Sequence, residues 1–542
     1  MEKIWLKRYP PGIPEFVEIP FLILPQVLLA SVKKYPDRPA IIYLGEEITY
    51  VRLWNLIEKF SEGLRQMGIQ KGDRVALLLP NCPQVPIAIF GTLLMGGIIV
   101  QNNPMFTERE LKQQLRNARP KILITLDEFL SKVEPLLSLP GLEEIIITHL
   151  EECALSSTFP AELGKDNIIR WCDFLNLNPS GLPWADIHPE DVAFIQSTGG
   201  TTGVSKGAML THMNIIANVA QVSAFYTQMV PGEEVWLSVM PFFHILGLTS
   251  LLSWPLSIGA KIVIFPKVDL DTLIDAIARY RVTFINLVPT VYIGIINHPE
   301  SNRLDLTSLK YCLSGAAPMP EEIMERFESI TGCKIKDCYG LTEASPGVSM
   351  NPDVGEIKKG KVGFPIPNTE IKVVDVETGE VEVPLGEKGE LVVKGPQVFQ
   401  GYWENPQETT AVLRDGWLYT GDIVSVDQDG FLRIEDRKKD LIIASGYNIY
   451  PREIEEVLFA HPKIKEAAVI GVPDPYRGET VKAFVVLKNG ESATDEEIIQ
   501  FCEKQLARYK LPKIVEFRSS LPKTGTGKLL RKILREEVRE GR

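Results

Sequence analysis

Short apolar runs alternate with amphipathic helical patterns through most of the first 350 residues, and this alternation restricts the possible fold more than any other feature. Strands that alternate with helices form parallel sheets whose two faces are both covered. The sequence therefore predicts an α/β fold. The predicted strands are 74–79, 121–125, 191–195, 261–265, 283–287, 310–313 and 334–337, and the predicted helices are 107–118, 270–280 and 320–330.

The pattern changes twice in the remaining chain. From about residue 360, short strands such as 390–394 and 430–434 stand between glycine and proline turns, which indicates a smaller β-rich unit. A charged link, EDRKKD at 435–440, then precedes a segment with its own helices and strands. A short charged link between two self-sufficient patterns is typical of a domain boundary. We predict domains over 1–436 and 437–542; the later elements are helices 452–459 and 493–505 and strands 466–470 and 481–487.

Two uncharged runs, 80–107 and 235–260, are candidates for a membrane span. Both contain several prolines and glycines, whereas a span needs about 20 apolar residues without repeated helix breakers. Buried strand–turn–helix segments are therefore expected at both places. The first twenty residues lack the continuous apolar core of a secretory signal. We predict a cytoplasmic protein and leave open a peripheral contact with the inner membrane face.

Charge and cysteine content exclude several classes of function. The formal net charge is −12, and such a surface would repel the phosphates of a nucleic acid. The seven cysteines are scattered and contain no C-x-x-C spacing. This usage favours a reducing compartment and argues against a disulfide framework or a zinc knuckle. Small molecules are the expected ligands, and nucleic acid is not an expected partner.

The segment STGGTTGVSKG, residues 197–207, admits two interpretations. Its part GVSKG fits G-x-S-x-G, the nucleophile elbow of serine hydrolases, which needs a strand directly before it and a helix directly after it. Here the predicted strand ends near 196, and six Ser, Thr and Gly residues precede Gly203. Ser205 is therefore poorly placed to be a nucleophile, although a serine hydrolase stays as the alternative from another enzyme class.

A phosphate-binding loop is the second interpretation. The segment is not a Walker A motif, because Lys206 is not part of a Gly-Lys-Ser/Thr sequence. Its glycines nevertheless allow backbone N–H groups to approach an anion, its hydroxyls add donors, and Lys206 adds a positive charge. We predict a phosphate loop between a buried strand and a helix over 210–220. The residues assigned to it are Ser197, Thr198, Gly199, Gly200, Thr201, Thr202, Gly203 and Lys206.

This loop resembles the signature of the adenylate-forming superfamily, which includes acyl-CoA synthetases, aryl-CoA ligases, firefly luciferase and peptide-synthetase adenylation domains. The resemblance extends to nearly the whole chain, because residues 4–10 are similar to the start of bacterial long-chain fatty-acyl-CoA ligases. Further signatures follow in the family's order: PFFHILG at 241–247, SGAAP at 314–318, YGLTE at 339–343, YTGD at 419–422, DRKKDLI at 436–442 with SG at 445–446, PREIE at 451–455 and PKTGTGK at 522–528.

The resemblance implies a large N-terminal domain of two parallel-type sheets with a small β-rich unit, and a small mobile α+β C-terminal domain. It also implies a two-step reaction. A medium-to-long-chain fatty acid attacks the α-phosphorus of MgATP to form acyl-AMP, and CoA then displaces AMP. Mg²⁺ is the implied cofactor, and ATP, the fatty acid and CoA are the implied substrates. An aryl-CoA ligase of the 4-coumarate type, a luciferase-like oxygenase, adenylation for a carrier protein and a homodimer stay open.

Catalytic roles are carried over from the resemblance onto four residues. Lys528 would bridge the carboxylate and the α-phosphate, Thr342 would touch the α-phosphate, and Glu343 would hold Mg²⁺. His244 would line the acyl pocket near the reacting carboxylate. Three of the four have a structural alternative: Lys528 lies in a basic tail, Thr342 suits a helix cap, and a lone histidine in an apolar run is more often a core residue.

Binding roles follow in the same way. Asp422 would accept both ribose hydroxyls, although a turn aspartate is the common alternative. The resemblance places the hinge of the C-terminal domain at Lys439, and Asn448 stands where acetyl-CoA synthetases often have an arginine. The implied ATP and AMP residues beyond the phosphate loop are Ala316, Ala317, Pro318, Asp337, Tyr339, Gly340, Thr342, Asp422, Arg437 and Lys528; acyl binding adds His244, Gly315 and Gly340, and CoA binding adds Ser445 and Gly446.

Overall fold

The chain forms two compact units in the computed structural model. The larger unit comprises Leu6–Glu370 and Lys394–Leu418, and the smaller one comprises Met1–Trp5, Ile371–Val393 and Tyr419–Arg542. The described residues are 3–151, 167–179, 181, 184–198, 206–267, 269–303, 305–315, 319, 321–444, 447–523 and 529–540.

The strands and helices are as follows in chain order. The strands are β1 Pro39–Tyr43, β2 Glu46–Thr49, β3 Arg74–Leu78, β4 Ile98–Gln101, β5 Ile122–Leu126, β6 Glu144–Thr148, β7 Ile168–Arg170, β8 Val192–Thr198, β9 Lys206–Thr211, β10 Val235–Ser238, β11 Lys261–Ile264, β12 Phe284–Leu287, β13 Tyr311–Ser314, β14 Ile335–Gly340, β15 Gly347–Met350, β16 Phe364–Pro365, β17 Glu370–Val374, β18 Gly389–Lys394, β19 Gly401–Tyr402, β20 Leu413–Arg414, β21 Trp417–Val426, β22 Leu432–Arg437, β23 Ile442–Ala444, β24 Tyr447–Ile449, β25 Ile464–Asp474, β26 Gly478–Leu487 and β27 Ile514–Phe517. The α-helices are α1 Leu24–Lys34, α2 Tyr50–Gln66, α3 Gln84–Leu94, α4 Glu108–Ala118, α5 Leu130–Val133, α6 Trp171–Leu175, α7 His212–Ser223, α8 Ile245–Leu248, α9 Trp254–Ser257, α10 Leu270–Arg279, α11 Pro289–Asn297, α12 Glu321–Thr331, α13 Pro406–Val412, α14 Pro451–Phe459, α15 Asp495–Glu503 and α16 Arg531–Arg539.

Two large sheets organise the larger unit. One has the order β16-β15-β14-β13-β12-β10-β11-β1-β2, and the other has the order β19-β9-β8-β4-β3-β5-β6-β7. The central pairs of both sheets are parallel, whereas β2, β15, β16, β9 and β19 join antiparallel at the edges. Most side chains of the parallel strands are buried, as expected for sheets covered on both faces. The α/β expectation with two parallel-type sheets is confirmed.

The two uncharged runs are interior segments. Every residue of α3 is buried, and the helix continues through a turn into β4. The second run contains β10, α8, a π-helical turn at Thr249–Ser253 and α9. Within the described ranges, no helix is long and apolar enough to cross a membrane. The absence of charge in these runs follows from burial inside the protein, as the breaker-rich sequence indicated.

The smaller unit contains strands of two five-stranded sheets. In the first, β17, β18 and β21 are neighbours and β22 pairs with β21; in the second, the order is β24-β23-β26-β25 with β27 on β26. The second sheet has its own apolar core with α14 and α15, which includes Ile454 and Ile498. The boundary predicted between residues 436 and 437 falls within β22, and the division into two domains at that point stays a prediction.

Candidate active site

Antiparallel strands β8 and β9 flank the predicted phosphate loop, whose residues 199–205 lie outside the described part. Thr198 pairs with Lys206, and Ser197 pairs with Gly207. The expected helix from 210 was therefore wrong at its start: a strand continues to Thr211, which caps α7. Lys206 and Gly207 of GVSKG already belong to β9, so no helix follows this motif directly as a nucleophile elbow requires.

We call β8, β9 and the loop between them the phosphate hairpin. Its Lys206 contacts two side chains from a distant part of the sequence. Its Nζ forms an ion pair with Glu408, and it lies 5.0 Å from the centroid of the Tyr402 ring. Tyr402 belongs to β19, which extends the sheet beyond β9 through the pair Tyr402–Ala208. The far edge of the hairpin is thus closed by a short strand that carries a phenol.

The segment after β14 holds Thr342 and Glu343 in a single 3-10 turn, Thr342–Ala344. Leu341 occupies the cap position of this turn without a side-chain hydrogen bond, so the interpretation of Thr342 as a helix cap was wrong. The turn is in contact with β9. The backbone N–H of Phe399 donates to the Glu343 carbonyl oxygen at 2.9 Å, and the Tyr402 hydroxyl donates to Glu343 Oε1 at 2.7 Å.

Gly340 shows why the segment that leads into this turn requires glycine. A Cβ atom at Gly340 would lie 2.2 Å from the carbonyl oxygen of Pro346, which belongs to the returning chain. Side-chain atoms cannot approach a backbone oxygen so closely. The turn that carries Glu343 therefore depends on close contact between two backbone segments.

Glu343 suits a magnesium ion that is shared with a nucleotide. The described residues contain no group of three or more His, Cys, Asp and Glu side chains that could hold a metal by themselves. A magnesium ion bound with a nucleotide uses one or two carboxylates plus phosphate oxygens and water. The Glu343 carboxylate, whose Oε1 accepts a hydrogen bond from the Tyr402 hydroxyl, fits that requirement.

The carboxyl ends of β13 and β14 bring further predicted residues together. Ser314 pairs with Asp337, and Gly315 follows Ser314 directly. A Cβ atom at Gly315 would lie 3.3 Å from Cys338 Sγ, so the space beside it is narrow. Asp337 is buried and Tyr339 is half-buried. Ala316, Ala317 and Pro318, predicted to face adenine, lie outside the described residues.

His244 begins the apolar helix α8. Its Nδ1 accepts a hydrogen bond from the Leu246 N–H at 3.2 Å, and the residue is half-buried, so the interpretation as a core histidine was wrong. Gln196 of β8 donates to the Phe243 carbonyl oxygen. This bond connects the strand before the phosphate loop with the segment that holds His244.

Asn81, just before α3, holds the segment that leads to His244, and no motif in the sequence pointed to it. Its Nδ2 donates to the carbonyl oxygens of Ser238 at 3.1 Å and Met240 at 2.8 Å, while its Oδ1 accepts from the Phe242 N–H at 2.7 Å. The side chain is buried, so these bonds replace contacts with water.

In the smaller unit, Asp422 and Arg437 face each other across β21 and β22. They are register partners, and Arg437 Nε lies 3.4 Å from Asp422 Oδ1. Asp422 is buried within a strand, so the interpretation as a turn aspartate was wrong. The adjacent Gly421 N–H donates to Glu390 at 3.1 Å, and Glu390 in turn pairs with Lys438 at 2.7 Å.

The charged link has two residues with displaced pKa values. Lys439 is exposed, but the protein atoms around it displace enough water to lower its pKa to about 8, with Arg437 adding repulsion. Burial raises the pKa of Asp436 to about 6, although Arg531 and the N–H groups of Arg452 and Arg437 oppose that shift. Lys528, Ser445 and Gly446 lie outside the described residues.

Two side chains at the phosphate hairpin were missed by the sequence analysis, Tyr402 and Glu408. The local sequence does indicate α13, the helix that contains Glu408, because Asn405 caps it and Pro406 occupies its first turn. It gives no sign that β19 pairs with β9. That information lies in the tertiary fold.

Two segments of the chain match models of known protein families. Residues 28–403 match the family model described as AMP-binding enzyme, and residues 453–528 match the model described as AMP-binding enzyme C-terminal domain. The chain is 44% identical to a long-chain-fatty-acid–CoA ligase of Bacillus subtilis (strain 168) and 40% identical to one of Escherichia coli O6:H1, each over 99% of both chains. The crystal structure of ATP-bound MatB from Rhodopseudomonas palustris aligns with a TM-score of 0.87 and 30% identity, over 96% of this chain and 99% of that one.

Proposed function

Since the chain belongs to the AMP-binding enzyme family, we propose that it joins a medium-to-long-chain fatty acid to CoA in two steps that consume ATP. The observation that carries this proposal is the full-length similarity to two relatives named long-chain-fatty-acid–CoA ligase. The geometry supports it, since the strands on both sides of the loop place hydroxyls and Lys206 at the same end of a sheet.

In the first step, a carboxylate oxygen of the fatty acid attacks the α-phosphorus of ATP. The new O–P bond forms as the bond to the bridging oxygen breaks, and pyrophosphate leaves. This displacement needs in-line positioning and neutralisation of charge rather than a nucleophile from the protein. We assign the departing phosphates to the loop that begins at Ser197 and ends at Lys206, and the α-phosphate to Thr342 and Lys528.

Glu343 would hold Mg²⁺, which supplies positive charge to the triphosphate when it is bound. Asp422 is buried and forms an ion pair with the half-buried Arg437, and we assign the ribose hydroxyls to the Asp422 carboxylate. The adenine is assigned to Ala316, Ala317, Pro318 and Tyr339, with Asp337 and Gly340 beside them.

In the second step, the CoA sulfur attacks the carbonyl carbon of acyl-AMP, the thiol loses its proton, and AMP leaves. We assign the pantetheine contact to Ser445 and Gly446, the hinge to Lys439, and the acyl pocket to His244, Gly315 and Gly340. A domain boundary at residues 436 and 437 belongs to the same proposal.

A substrate screen tests the proposal. Purified enzyme is given ATP, Mg²⁺, CoA and one acid at a time, from acetate to long-chain fatty acids and including 4-coumarate, and thioester, AMP and pyrophosphate are measured. We expect the largest kcat/KM with medium-to-long-chain acids and equal amounts of the three products. A preference for acetate or 4-coumarate would contradict the acyl specificity. Failure to release pyrophosphate with every acid would refute the ligase assignment itself.

Three finer predictions belong to the proposal: a cytoplasmic location, a peripheral contact with the inner membrane face, and a homodimer. Sedimentation velocity tests the dimer, and flotation with anionic vesicles tests the membrane contact. A monomer at all concentrations would contradict the dimer, and absence from the vesicle fraction would contradict the membrane contact.

A further inference from the structure

Tyr402 lies between the two charged groups that we assign to the triphosphate. Its hydroxyl is 2.7 Å from Glu343 Oε1, and its ring centroid is 5.0 Å from Lys206 Nζ. One aromatic side chain thus contacts a carboxylate through its edge and an ammonium group through its face. Glu408 supplies a second carboxylate, which forms an ion pair with Lys206.

The surroundings hold Tyr402 in a single place. Its ring is buried and meets Phe399 edge to face, with the centroids 5.0 Å apart. Its backbone N–H donates to Thr409 Oγ1 at 2.9 Å, and the next N–H, of Trp403, donates to the Gly207 carbonyl oxygen at 2.8 Å. A side chain fixed by this many contacts can impose its geometry on flexible glutamate and lysine side chains.

The direction of the hydrogen bond is also determined. The phenol has a proton to donate, whereas a carboxylate oxygen only accepts. The 2.7 Å contact is therefore a hydrogen bond from the Tyr402 hydroxyl to Glu343 Oε1. A donor on Oε1 orients the carboxylate so that Oε2 is presented to a cation.

We propose that Tyr402 is a positioning residue for the adenylation step: it orients the Glu343 carboxylate for Mg²⁺ and, through its ring, holds Lys206 beside the phosphates. The inference rests on the proposed function for the roles of Glu343 and Lys206. It goes beyond that function by assigning the arrangement of both charges to one residue outside the motifs of the sequence. Glu408 sets the second contact of Lys206.

The test separates the hydroxyl from the ring. Tyr402→Phe removes the bond to Glu343 and keeps the ring under Lys206, whereas Tyr402→Leu removes both. Tyr50→Phe is the matched control, because Tyr50 is also a buried tyrosine and its hydroxyl donates to the Ala260 carbonyl oxygen at 2.7 Å, away from these groups. The readout is calorimetric binding of ATP at a series of Mg²⁺ concentrations, with no acid or CoA present.

For Tyr402→Phe, we expect the Mg²⁺ concentration that half-saturates ATP binding to rise about tenfold, the typical effect of losing a hydrogen bond to a charged group. ATP binding without Mg²⁺ should change less than about twofold, because the ring still contacts Lys206. Tyr402→Leu should weaken ATP binding both with and without Mg²⁺. Excess Mg²⁺ should restore the adenylation rate of Tyr402→Phe, which a folding defect would not allow.

Unchanged Mg²⁺ dependence in Tyr402→Phe, or an equal shift in Tyr50→Phe, would overturn the inference. Because binding is measured without acid or CoA, the result does not depend on the acyl substrate. Suppose that Tyr402→Phe shows the expected rise in the Mg²⁺ requirement but that the wild-type enzyme forms no thioester from any acid. That result would refute the proposed function and leave the role of Tyr402 standing.

Discussion

Arg437 Nε lies 3.4 Å from Asp422 Oδ1 across two adjacent antiparallel strands, and the aspartate is buried. Carboxylate oxygens accept hydrogen bonds from neutral hydroxyl groups, so this side chain is suited to a ribose. The strand pairing, rather than a loop, sets its position. This rigidity leads to the first prediction.

Asp422→Ala should lower the affinity for ATP and remove the preference for ribose. We expect the KM for ATP to rise about ten- to hundredfold, as loss of hydrogen bonds to a charged acceptor implies. The wild-type enzyme should prefer ATP to 2′-deoxy-ATP, and the variant should not distinguish them. Steady-state kinetics with both nucleotides checks this. If the variant keeps the wild-type preference, Asp422 does not contact the ribose.

Lys528→Ala should abolish formation of acyl-AMP and leave transfer of the acyl group from supplied acyl-AMP to CoA. Pyrophosphate release measures the first step, and thioester formation from synthetic acyl-AMP measures the second. Lys523→Ala is the control from the same segment, because Lys523 pairs with Glu466 at 2.8 Å. Equal loss of both steps in Lys528→Ala would show that the lysine has a structural role.

Asn81→Ala should destabilise the protein and weaken binding of the fatty acid. The substitution leaves the Phe242 N–H and two carbonyl oxygens without their partner, and each buried unpaired group costs about 1–3 kcal/mol. The melting temperature should fall, and the KM for the acid should rise while the KM for ATP changes little. Asn167→Ala removes one exposed bond to Glu143 and serves as the comparison. An unchanged KM for the acid would separate Asn81 from the acyl pocket.

Asp436→Asn should change the dependence of stability on pH. Burial raises the folded-state pKa of Asp436 from 3.8 to about 6, so the folded protein binds more protons than the unfolded chain between these values. The stability that the protonated group contributes is present at low pH and is lost as pH rises through about 6. Relative to wild type, Asp436→Asn should therefore gain about 3 kcal/mol between about pH 4 and pH 7.

Thermal and urea unfolding of both proteins across this pH range measures the difference. Asp474→Asn is a suitable control, because hydrogen bonds from the Arg477 and Tyr476 N–H groups lower the pKa of that half-buried aspartate. A difference between Asp436→Asn and wild type that stays constant with pH would contradict the buried-carboxyl explanation.

The local pattern of apolar residues predicted most of the fold, because parallel strands that are buried on both faces appear in the sequence as continuous apolar runs. Strand 74–79 and helix 107–118, for example, appear as Arg74–Leu78 and Glu108–Ala118 with Thr107 as its cap. The pattern failed where pairing is non-local. Lys206–Thr211 is a strand because it lies between β8 and β19, although its sequence leads smoothly into a helix.

The same distinction applies to the candidate site. The ordered motifs of the family identified Glu343 and Asp422, and the glycine- and hydroxyl-rich loop beside Lys206 identified that lysine as a residue suited to phosphate. They could not identify Tyr402, since a tyrosine after glycine is ordinary in sequence and gains its role from two distant contacts. Residues that supply charge are visible in a sequence, whereas residues that orient charge require the fold.

The pairing of β9 with β19 also sets an order for synthesis on the ribosome. After β9 has emerged, one of its edges has no partner until Gly401 and Tyr402 have been made. An open strand edge can pair with other chains, and nascent chains with such edges are prone to aggregate. The sheet edge beside Lys206 is thus covered late in synthesis, and it is open to pairing with other chains until β19 has been made.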